Sequence, residues 1–171
     1  MTRIVKMGSL LALCRDPTVR RTAAIAHGPQ QQLIDTSGRR TFIGQEACKG
    51  AFSDYIGRRG GDPSLIRWNF RDSGIVNPIT KRKLEIDMFY EPWKIGVEYN
   101  GEQHYVYPNI YHPATEKGEK EFHAAVQRDH EKLRQARALG IRIIVVPYTV
   151  DKKIKGHHER REAILTFLDS Q

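Results

Sequence analysis

Only two cysteines occur among the 171 residues, Cys14 and Cys48, and no Cys-x-x-Cys spacing joins them. This argues against a zinc ribbon and against a disulfide-built scaffold. No apolar run approaches the roughly 20 residues that a membrane-spanning helix needs. No internal repeat is visible. Acidic residues are missing from Met1 to Arg15, where Arg3, Lys6 and Arg15 punctuate the apolar stretch GSLLALC. LLALC is too short for a secretory signal, so the expected place is the cytoplasm, that of the host if the chain is viral. A weak organelle-targeting peptide, an amphipathic helix and a basic arm lying on nucleic acid are the other readings of this segment.

What the chain has in excess is positive charge. Lys and Arg number 28 against 20 Asp and Glu, a net charge of +8. Such an excess favours polyanionic partners, because neutralising phosphates releases counterions. A soluble domain that is merely basic would have the same composition. Hydrophobic residues make up 39% of the chain, enough for one core, and the length suits one domain plus an arm.

Residues 1–40 lack periodicity and are expected to form an N-terminal extension, with the domain proper spanning 41–171. Thr41 is placed to cap a helix running to about Gly57, with Ala47, Ala51, Tyr55 and Ile56 at helical spacing. Leu65–Arg71 reads as a strand with Ile66, Trp68 and Phe70 on one face. DSGIVNPITKR reads as a long hairpin connection with a basic tip. Lys83–Tyr90 alternates, setting Leu84, Ile86, Met88 and Tyr90 against Glu85, Asp87 and Phe89. Ile95–Tyr99 is the returning strand. Residues 119–139 form the longest expected helix, with Phe122, Ala125, Val126, Leu133, Ala136 and Leu139 on its apolar face and Gly140 as its stop. Ile141–Val146 is apolar on both faces, as an internal strand would be. A final helix spans 157–169. The order implies an α/β fold with one mixed central sheet flanked by helices.

Two acids carry the chemistry. Asp87 lies within one strand and Glu98 near the end of the next, so an antiparallel hairpin can set both on one face a few ångströms apart. Like charges held so close repel unless a divalent cation sits between them. Carboxylates without competing nitrogen or sulfur select a hard ion, Mg²⁺ or Mn²⁺. Such an ion serves phosphodiester hydrolysis. Glu98 by itself is equally well read as the partner of a Lys or Arg. Gly101 is expected in a backbone conformation closed to other residues, keeping the polar cluster Asn100–His104 at one edge. His157-His158 has no third ligand at useful spacing and reads as solvent-exposed.

The stretch KLEIDMFYEPWKIGVEYNGEQHY resembles the PD-(D/E)XK nuclease superfamily. It is most similar to the branch of very-short-patch repair endonucleases, related homing endonucleases and phage and large-virus nucleases. Ile86-Asp87-Met88-Phe89, then Glu98-Tyr99-Asn100-Gly101-Glu102-Gln103-His104, then Asp129-His130-Glu131-Lys132 and Gly140-Ile141 carry the resemblance over roughly residues 41–148. It implies a restriction-endonuclease-like αβββαβ core. It also implies Asp87, Glu98 and the carbonyl of Tyr99 as metal ligands, with Glu46 of the first helix in support. Gln103 and His104 match positions for phosphate contact or proton transfer. Asp129 and Lys132 share a helix face, where a surface ion pair is the plainer reading.

The chain departs from the pattern at Asn100, where the superfamily's Lys is expected. Gln103, His104 or Lys132 would have to replace it, or the site binds without cutting. Arg58, Arg59, Arg67, Arg71, Lys81, Arg82 and Lys83, with the KKIKGHHERR segment, are the candidates for phosphate contacts. The expectation is a Mg²⁺- or Mn²⁺-dependent endonuclease acting on DNA, one that nicks or recognises structure. A junction-resolving form would act as a homodimer. The alternatives are a nucleic-acid-binding protein that keeps the fold without turnover, and a basic subunit of a ribonucleoprotein.

Overall fold

The structure, a computed structural model, describes residues 32–34 and 40–171. The expected extension, the cysteine at position 14 and any leader therefore lie mostly or wholly outside the described residues. Two short strands, β1 (Gln32–Ile34) and β2 (Arg40–Phe42), pair antiparallel with Leu33 opposite Thr41. Thr41 is thus a strand residue and not the expected helix cap. Helix α1 (Ile43–Arg58) follows directly. Its buried residues Ala47, Cys48, Ala51, Phe52, Tyr55 and Ile56 include all four residues expected there.

A second sheet has the order β3 (Ile66–Phe70), β4 (Ile86–Tyr90), β5 (Ile95–Asn100), β6 (Arg142–Pro147). The first three strands are antiparallel, and β6 runs parallel to β5. Parallel neighbours need a long crossover, and α2 (Glu116–Ala138) lies within it. Thr115 caps α2 by accepting a bond from the Gly118 N–H, 3.1 Å. Gly140, at φ 71°, ends the turn that follows. Helix α3 (His157–Asp169) has the bounds the sequence predicts. The described fold is therefore mixed α/β, a four-stranded mixed sheet flanked by helices.

The two sheet faces carry separate cores. Met88, Tyr90, Ile95, Val97, Ile144 and Val146 pack with α1 and α3. Ile86, Phe89, Ile75 and Ile141 pack with Ala136 of α2. Cover on both faces explains why β6 is apolar from Ile143 onward although it is an edge strand of its sheet, not the internal strand its composition suggests. Leu139 is also corrected: it caps α2 beyond the packed face and is exposed.

The expected alternation along β3 fails at Asn69, whose φ of 52° is left-handed. Asn tolerates that region better than most side chains. The local reversal separates Trp68, which is exposed, from Phe70, which stacks on Phe89 at 4.8 Å. Among the described residues no helix is long and apolar enough to cross a membrane.

Candidate active site

The antiparallel register places Met88 opposite Val97. One residue further, Asp87 falls opposite Glu98, and side chains at opposed positions point to one face. That face is the one α2 covers, since Phe89 and Gly96 are the next pair on the same side. Asp87 is fixed by the backbone N–H of Tyr99, which donates to Oδ2 at 3.1 Å. From α2, Lys132 forms an ion pair with Glu98 Oε1, and both side chains are only 12% exposed. His104 Nδ1 lies 2.9 Å from Asp129 Oδ2, also on α2. A carboxylate only accepts, so Nδ1 carries the proton in this pair.

Burial dominates the electrostatics. It pushes Glu98 up to about 7, against the attraction of Lys132 and with the repulsion of Asp87 in support. Burial also raises Asp87, opposed by the Tyr99 N–H bond, Lys132 and His104. The surface-pair reading of Lys132 is thus replaced by a nearly buried pair. Lys132 also brings a cation to the two acids although position 100 is Asn.

The structure gathers Asp87, Glu98, His104 and Lys132, all singled out from sequence. Gln103 adjoins them in a short 3₁₀ turn, Glu102–His104. Gly101 is a correction. Its φ is −64°, open to any residue, and its lack of a side chain matters for space: a Cβ there would lie 2.4 Å from Gln103 Oε1. Glu46 sits on α1 and pairs with Lys49 at 2.6 Å.

The seven basic candidates are all exposed, but they divide between the two ends of the sheet. Arg58, Arg59 and Arg67 lie toward the Tyr90 end, where Arg59 pairs with Asp169 and Arg67 with Glu91. Arg71, Lys81, Arg82 and Lys83 lie on the β3–β4 connection at the Asp87 end. There Arg71 pairs with Glu85 and Lys83 with Asp72. His157 and His158 are exposed, as expected.

Sequence reasoning missed the support behind the site. The Tyr99 hydroxyl donates to Asp151 Oδ1 at 2.8 Å, and Arg160 donates to Oδ2 at 2.7 Å. Asp151 is fully buried, and nothing in YTVDKK distinguishes it from a loop acid. Gln135 was missed as well. Its amide accepts from the Val76 N–H at 2.9 Å and donates to the Val76 carbonyl at 2.8 Å, clamping the β3–β4 connection to α2. Asp129, Lys132 and Gln135 are spaced by three and form one stripe of α2.

The Tyr99 ring reaches Asp151 because position 44 is glycine. A Cβ on Gly44 would stand 2.1 Å from the Tyr99 oxygen. Gly44→Ala is expected to destabilise the fold by about 1–3 kcal/mol, the cost of overpacking a filled site. Denaturant unfolding measures it, and a loss below about 0.5 kcal/mol would contradict the packing described.

Comparison with known proteins places the chain. The uncharacterized protein 094L of Frog virus 3 (isolate Goorha) is 35% identical over 130 residues, which cover 76% of this chain and 73% of that protein. The chain belongs to the family of 094L. The uncharacterized protein 307L of Invertebrate iridescent virus 6 is 30% identical over 144 residues, 79% of this chain and 68% of that protein. A shorter match, 39% identical over 80 residues, links it to protein 033L of Invertebrate iridescent virus 3. No protein-family model and no solved structure matches this member of the 094L family.

Proposed function

We propose that this protein is a divalent-metal-dependent endonuclease of DNA, built on the restriction-endonuclease-like core of the PD-(D/E)XK superfamily. The observation that carries the reading is the convergence of Asp87, Glu98 and Lys132 on one partly buried face. Two carboxylates that repel, with a cation supplied from α2, make the donor and charge set that a phosphodiester-cleaving site needs.

The residues fit Mg²⁺ or Mn²⁺. Among the described residues no group of three or more His, Cys, Asp and Glu side chains is arranged to hold a metal ion by itself. Mg²⁺, however, is commonly held by one or two carboxylates, with water and substrate phosphate completing its shell. Asp87, Glu98 and the Tyr99 carbonyl would hold it. When bound, the ion polarises the scissile phosphate, lowers the pKa of a water and offsets charge on the leaving oxygen. Lys132 keeps a positive charge beside the phosphate, the part Asn100 cannot play. His104, held by Asp129, offers Nε2 for proton transfer. The exposed Lys81 and Arg82, beyond the acids, suit contacts to the DNA backbone.

Purified protein is expected to nick or cut supercoiled plasmid with Mg²⁺ or Mn²⁺ and to be silent in chelator. A panel of duplex, branched, mismatched and single-stranded DNA, with RNA beside it, tests this. Inactivity on every member with both metals would overturn the nuclease and favour a binding protein that has lost turnover.

A further inference from the structure

Pairing between β4 and β5 runs from Tyr90 opposite Ile95 to Met88 opposite Val97 and stops there. On its other side β5 stays paired with β6 as far as Asn100 opposite Pro147. Main-chain groups along a strand point alternately to its two sides, and the N–H and C=O of one residue point the same way. Lys94 faces β6, since its carbonyl accepts from the Arg142 N–H at 2.9 Å. Glu98 and Asn100 share that direction, and Tyr99 faces the β4 side. Ile86 would be its next ladder partner, but the Tyr99 N–H meets the Asp87 carboxylate instead. The Tyr99 carbonyl therefore opens toward Asp87, beyond the end of the ladder.

A second hold on Tyr99 comes from the opposite face of the sheet. Its ring packs against the core shared with α1 and α3. Its hydroxyl ends on Asp151, which pairs with Arg160 of α3. Asp151 is the one charged side chain that is fully buried among the described residues. A buried ion pair often gives no more stability than apolar groups of the same size. What it adds is direction, and here the direction is set on one hydroxyl.

We propose that Asp151 and Arg160 are positioning residues for the metal site, acting through the Tyr99 hydroxyl. They hold this end of β5 from behind, so that the Tyr99 N–H stays on Asp87 and the Tyr99 carbonyl stays beside it. The proposal rests on the nuclease reading for the ligands, which are Asp87, Glu98 and that carbonyl. It also takes Arg160, only 15% exposed and turned onto Asp151, out of the phosphate contacts expected of KKIKGHHERR.

The test uses full-length protein and Tyr99→Phe, which keeps the ring and removes only the hydroxyl. Calorimetric titration with Mn²⁺ is expected to show binding about tenfold weaker than wild type, the loss usual when a group supporting a ligand is removed. Hydrogen exchange without metal is expected to speed up several-fold at the amide of position 99, while Val97, inside the ladder, exchanges as in wild type. Ile164→Val trims the core at α3 and leaves the hydroxyl alone. It is expected to lower thermal stability with Mn²⁺ affinity unchanged.

Mn²⁺ binding by Tyr99→Phe as tight as by wild type overturns the proposal and leaves the nuclease reading standing. So does an equal loss of affinity in Ile164→Val, which would make the effect one of packing. Wild type that takes up no Mn²⁺ overturns the metal-dependent reading, and this proposal with it.

Discussion

Glu98→Gln is expected to lower DNA cleavage by about 10³-fold or more while the protein stays folded. A carboxylate that helps hold a divalent ion contributes several kcal/mol of transition-state stabilisation, and each 1.36 kcal/mol is a factor of ten. Glutamine keeps the volume and removes the charge. Folding should tolerate the change because Glu98 is held against its own burial, which raises its pKa to about 7. Single-turnover cleavage with saturating Mg²⁺ measures the loss, and thermal unfolding monitors the fold. Cutting within tenfold of wild type would remove Glu98 from the chemistry. Lys132→Met should also be deeply impaired, since it withdraws the cation that faces Glu98 across the site.

The second large effect is on pH. Glu98 titrates near 7 in the folded protein and near 4.5 as an unperturbed side chain. The folded state therefore binds this proton more tightly than the unfolded chain. Its contribution to stability is fully present below about pH 4.5 and is lost as pH rises to about 7, roughly 3 kcal/mol over that window. Glu98→Gln should remove this slope, so wild type and variant unfold alike in acid and diverge toward neutrality, with the variant the more stable. The proposed metal binding would run the other way. A cation needs the ionised carboxylate, so apparent Mg²⁺ affinity should fall by about tenfold per pH unit below about pH 7 and level off above it. Calorimetric titration across pH 5.5–8.5 checks this, and a flat profile would contradict a buried, protonated Glu98.

Much of the domain was legible because periodicity and punctuation agreed. Ala47, Ala51 and Tyr55 repeat at helical spacing, Gly140 stops α2, and Met88 alternates with Asp87 and Phe89. The acids were legible for the same reason: Asp87 interrupts an apolar strand where solvent offers no explanation. The misreadings have local causes. A left-handed Asn69 reverses β3 without any signature in composition. Helices on both faces make the edge strand β6 read as internal. Asp151 and Gln135 were invisible because their roles depend on partners 52 and 59 residues away, at Tyr99 and Val76. Gly101 showed the opposite error, in which backbone freedom was inferred where space was the need.

The stripe on α2 makes the helix a ruler. Asp129 sets the His104 turn, Lys132 meets Glu98, and Gln135 grips the basic β3–β4 connection, each one step along the same line. Inserting one residue between Asp129 and Gln135 would turn the two ends of that line by about 100° relative to each other. A helix cannot absorb such a slip as a loop can. The distance from 129 to 135 is fixed by three separate grips at once, to His104, Glu98 and Val76. Within the 094L family, insertions and deletions should be missing from this stripe.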